Sequence, residues 1–178
     1  MTDFDAPLRS LVARRRRTSK VRLAFLVLIP VAAILFQVYV PRFLKTLSYL
    51  ELPLLVTVYF ALLRRDQVAG ALIGCGVGLA QDALTHHLFG TFGLVKTLVG
   101  YFAASVSQRF DVQNSALRFI LSFLFFLFHQ LLYWVLARAL LRQMVELNAA
   151  QTVIFAFLNA VVSIPLFLVL DRLREEGR

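Results

Sequence analysis

The chain has 178 residues, a formal net charge of +9, and 60% hydrophobic against only 16% charged residues. Its mean hydropathy is +0.76. That balance excludes an ordinary water-soluble domain and makes lipid the natural solvent. The basic excess does not describe a nucleic-acid groove, because the arginines and lysines flank apolar runs instead of forming one stripe. The single cysteine, Cys75, excludes an intramolecular disulfide and a cysteine metal cluster.

Residues 1–20 form a basic, polar N-terminal segment suited to orienting the chain and touching anionic headgroups. The apolar run at 21–40 is about 20 residues, long enough to cross a bilayer as a helix, and no small-residue cleavage site closes it. It is read as an uncleaved first span, with Pro30 inside it. Further spans are expected at 47–63, 68–84, 92–107, 117–137 and 151–170, with a turn at 85–91 and a polar tail at 171–178. The expected fold is an all-α integral membrane protein with about six transmembrane helices, forming one domain over 21–170. Alternating the spans places 14 basic residues on the side of the two termini and four on the other, which predicts cytoplasmic termini.

Residues 70–104 stand apart. They hold seven of the eight glycines, together with Asp82 and Lys96. Gly70, Gly74 and Gly78 are spaced by four and lead along one helical ridge to Asp82. Gly93 and Gly100 give the next span a small-residue surface. In lipid, helices associate through close backbone contact, which small residues permit. The five glycines are therefore a packing face, either within the chain or for another protein's helix. Asp82 and Lys96 fall at similar depth on either side of the turn. A charge at a helix centre costs about 2.5–3.5 kcal/mol to insert. Asp82 therefore requires a partner: Lys96, a histidine, a helix terminus or a proton. A buried Asp82–Lys96 pair closing the hairpin is the leading expectation.

His86 and His87 sit in the turn, but adjacent histidines point apart on a helix and no metal-binding spacing surrounds them. No metal or other cofactor is expected. His129, Gln130 and Asn159 are intramembrane polar residues that more often join helices than catalyse. No serine or cysteine stands at a spacing for a nucleophile and base, so no catalytic residue is assigned.

The string GALIGCGVGLAQDALTHHLFGTFGLVKTLVGY resembles the signature region of the MreD family, rod shape-determining proteins of bacteria. Gly70, Gly74, Gly78, Asp82, Gly90, Gly93 and Tyr101 occupy the matching places, whereas His86, His87 and Lys96 depart from the pattern. The resemblance implies a multi-pass inner-membrane scaffold of the cell-elongation complex that supports lateral peptidoglycan synthesis. It implies a bitopic MreC-like partner and, through it, an MreB-like filament and peptidoglycan synthases of the RodA/PBP2 type. The MreD fold is also similar to the substrate-binding S-components of energy-coupling-factor vitamin transporters, which supplies the alternative reading. A transporter component would need a polar outer pocket, and the outer loops here carry few polar residues.

Overall fold

The computed structural model describes residues 25–40, 49–85, 89–110, 112, 114–139 and 148–176. These residues form six helices and no strand: α1 (Phe25–Tyr39), α2 (Leu52–Arg64), α3 (Gln67–Thr85), α4 (Thr91–Ser107), α5 (Ser115–Ala139) and α6 (Ala149–Glu176). Three of them, α3, α5 and α6, are long and apolar enough to cross a membrane; α1, α2 and α4 are shorter apolar helices.

Each start and stop has a local cause. Residues 49–51 precede α2 outside the α-helix, so the helix begins later than the 47 expected from hydropathy. Pro53 occupies its first turn, where a missing N–H costs nothing. Arg65 ends α2 in the left-handed conformation, φ 54°. Asp66 follows and caps α3, its Oδ1 accepting from the backbone N–H of Val68 and Ala69. Asn114 and Asn148 play the same part for α5 and α6. The segment read as a polar tail is helical through residue 176, because Asp171 is held by groups on α2 and α5.

α2 is the central element. All ten residues from 53 to 62 are buried, including Leu54, Leu55, Tyr59 and Phe60. A helix apolar on every side is stable only when neighbours surround it. Here α3 and α4 pack on it, α5 packs on α4, and α6 packs mainly on α5. The core joins α2 to Val99 and Ala103 of α4, Phe125 and Phe126 of α5, and Phe167 of α6. α1 adds Ala33, and its Phe25 meets Phe60 edge to face at 5.6 Å. The outer surfaces of α1, α5 and α6 expose large apolar side chains such as Leu28, Leu124, Ile154 and Phe157, as lipid contact requires. Several hydroxyls within the helices bond back to their own backbone, as Thr57 does to the Pro53 carbonyl at 2.8 Å, which spends their donor inside an apolar layer.

Candidate functional site

α3 and α4 make the most extensive contact in the protein, and glycines make it possible. A Cβ added to Gly70 would strike the Gly100 carbonyl, one on Gly74 the Lys96 carbonyl, and one on Gly78 the Phe92 carbonyl. Each step of four forward on α3 meets a step of four back on α4, which is an antiparallel crossing along a shared ridge. Gly100 faces Gly70 in return, and Gly93 lies against Leu79. All five glycines singled out in the sequence are thus used inside the chain. Gly76, off this ridge, has nothing within 4 Å of its would-be Cβ.

The ridge ends on Asp82, which is 2% exposed. Its Oδ2 accepts from the backbone N–H of Gly90 and Gly93 at 3.0 Å each, and its Oδ1 from Phe92 at 3.1 Å. These are the N–H groups that a starting helix leaves without internal partners. The carboxylate also sits at the positive end of the α4 dipole. Gly90, at φ 97°, supplies the left-handed turn that directs these N–H groups at one side chain. Asp82 therefore serves as the cap of α4, delivered from α3.

Lys96 is fully buried and spends its charge elsewhere. Its Nζ donates to Gln81 Oε1 at 2.7 Å, lies 3.7 Å from Glu51 Oε2, and stands 4.5 Å from the centre of the Phe92 ring. The expected Asp82–Lys96 pair is accordingly replaced by two arrangements side by side: carboxylate to helix N-terminus, and ammonium to Gln81 and Glu51. The reason is geometric. Asp82 is short and reaches the adjacent helix start, whereas the lysine stem carries its charge past it toward α2.

Glu51 connects this group to α6. Its backbone N–H donates to Asn159 Oδ1 at 2.8 Å, and Asn159 Nδ2 donates to the carbonyls of Tyr49 and Phe155, both at 2.9 Å. The Tyr49 ring stacks on Phe155 at 4.1 Å. Asn159 is fully buried and satisfies the non-helical backbone ahead of α2. His129 of α5 is also buried, its ring nearly parallel to Phe92 at 6.0 Å. Gln130 is partly buried beside it. His86 and His87 lie outside the described residues.

At the opposite end of the bundle, sequence reading passed over a second polar centre. Asp171 of α6 accepts from Tyr59 Oη of α2 at 2.8 Å and pairs with Arg118 of α5 at 2.6 Å. Arg118 Nε also donates to the Val112 carbonyl at 2.7 Å. A signal for it existed. Arg118 opens one apolar run and Asp171 closes another, so strict alternation of helices puts them at one level. Glu51 and Gln81 were likewise missed, although Glu51 immediately precedes a proline-containing helix start, where an acidic group suits the helix dipole.

Among the described residues no group of three or more His, Cys, Asp or Glu side chains could hold a metal ion. The polar groups instead fasten helix to helix, five of the six helices being joined at one end or the other. The chain matches no curated protein and no solved structure. The family described as rod shape-determining protein MreD matches over residues 19–175, nearly the full length. The chain therefore belongs to the MreD family of rod shape-determining proteins.

Proposed function

We propose that this protein is a non-enzymatic inner-membrane scaffold of the cell-elongation complex. In this reading it crosses the membrane six times with both termini in the cytoplasm. It binds a bitopic MreC-like protein and, through it, supports an MreB-like filament and the synthases that insert lateral peptidoglycan. Membership of a rod shape-determining family supports the biological role. The observation that carries the scaffold reading is the use of the buried polar groups. Asp82, Lys96, Asn159 and Asp171 all bond to the chain's own helices, and what α1, α5 and α6 present outward is apolar. Such a surface faces lipid and leaves these helices open to contact with a partner's membrane helix, the polar groups being used within the chain.

Depletion in a rod-shaped host tests the role. Cell width is expected to increase and new wall synthesis to lose its lateral pattern while septal synthesis continues. Depleted cells that keep their width and lateral synthesis would refute it.

A further inference from the structure

Three polar groups near the Asp82 end remain unspent. Both ring nitrogens of His129 are buried, and neither makes a hydrogen bond with a described residue. The neighbouring Gln130 amide lies beside the ring without reaching hydrogen-bonding geometry. Glu51 Oε2 is buried without a hydrogen bond, because the Lys96 ammonium stands 3.7 Å away, at ion-pair distance only. Lys96 carries three donors and gives one to Gln81. Phe92 is the common neighbour: the Lys96 ammonium stands over its ring and the His129 ring lies parallel to it.

Buried polar groups without a partner are rare and costly, and the usual remedy where several converge is an ordered water. The valences here are complementary. A neutral imidazole offers one donor and one acceptor. Lys96 has donors to spare and Glu51 an acceptor. Water supplies two of each.

We propose that ordered water binds between His129 of α5 and the Glu51–Lys96 pair, linking α5 to the polar latch that joins residues 49–51, α4 and α6. The imidazole is then a bridging ligand of that water. The latch would span α4, α5, α6 and residues 49–51, Asn159 of α6 holding the Glu51 backbone and Lys96 of α4 facing its carboxylate.

Radiolytic hydroxyl labelling of the wild-type protein in detergent tests this directly, because buried side chains are labelled where they touch bound water. Labelling at His129 or Phe92 is expected, although His129 is only 1% exposed. No labelling at either would overturn the proposal. A thermal double-mutant cycle with His129→Leu and Glu51→Gln gives a second reading. With water between them, each single change lowers Tm and the double falls by less than the sum of the singles. A His129→Leu protein whose Tm is unchanged or raised would show the ring to be a dry, unpaired group, and strictly additive falls would show that no bridge joins the two. Native mass spectrometry that finds an organic guest lost on His129→Leu would replace water by that guest and also overturn the proposal.

Discussion

At the scale of single residues, the structure separates two groups that proximity in the hairpin would have paired. Asp82 takes three backbone N–H groups of the α4 start, so its shape and its charge both matter. Asp82→Asn turns one acceptor into a donor that faces an N–H. A loss of about 1.5–3 kcal/mol is expected, the range for a hydrogen bond to a charged group. Adding Lys96→Met should not restore it, because Lys96 answers to Gln81 and Glu51. Thermal unfolding of the single and double variants in detergent checks this; recovery in the double would restore the direct ion pair. The glycines give a sharper contrast. Gly74→Ala forces a Cβ to under 3.0 Å from the α4 backbone and should cost about 1–3 kcal/mol as an overpacked contact. Gly76→Ala meets open space and should be neutral or stabilising by up to about 1 kcal/mol. Equal effects at the two positions would contradict the crossing.

At the scale of elements, α6 is the informative helix. It packs mainly on α5, and besides the Phe167 contact with Tyr59 it is tied across the bundle by two separate polar positions. Asn159, in its first half, holds residues 49–51, and Asp171, near its C-terminus, holds Tyr59 and Arg118. Asn159→Leu leaves the Glu51 N–H and the Tyr49 carbonyl unbonded, a loss of about 1–3 kcal/mol. Hydrogen exchange should then accelerate in residues 49–51 and the first half of α6, with the second half unchanged. Tyr59→Phe should give the reverse pattern. Acceleration spread evenly along α6 in both variants would show that α5 packing, not the two polar ties, fixes the helix.

At the scale of the whole molecule, much of the plan can be read from sequence because lipid imposes simple rules. Apolar runs broken by short charged connectors gave helices in the right order, and the glycine spacing pointed to a close-packed face. What escaped the sequence has identifiable causes. The partners of Asp82 are backbone N–H groups, which every residue but proline possesses and no motif announces. Glu51 lies on another helix from Lys96, and nothing in either local pattern pairs them. The full burial of α2 was also hidden, since a short helix wrapped by others and a lipid-facing span look alike in composition. Three helices have the length and hydropathy to span a membrane; α2 is shorter, and its residues from 53 to 62 are buried against its neighbours.

The central claim is that the polar interior of this protein holds its own helices together, and that its apolar exterior is the working surface of a scaffold. Co-purification from native membranes, followed by mass spectrometry, tests that most directly. A bitopic MreC-like protein should be recovered with the tagged chain, and should still be recovered with the Gly76→Ala variant. Recovery of a transporter coupling subunit and its ATPases, without any bitopic partner, would contradict the account.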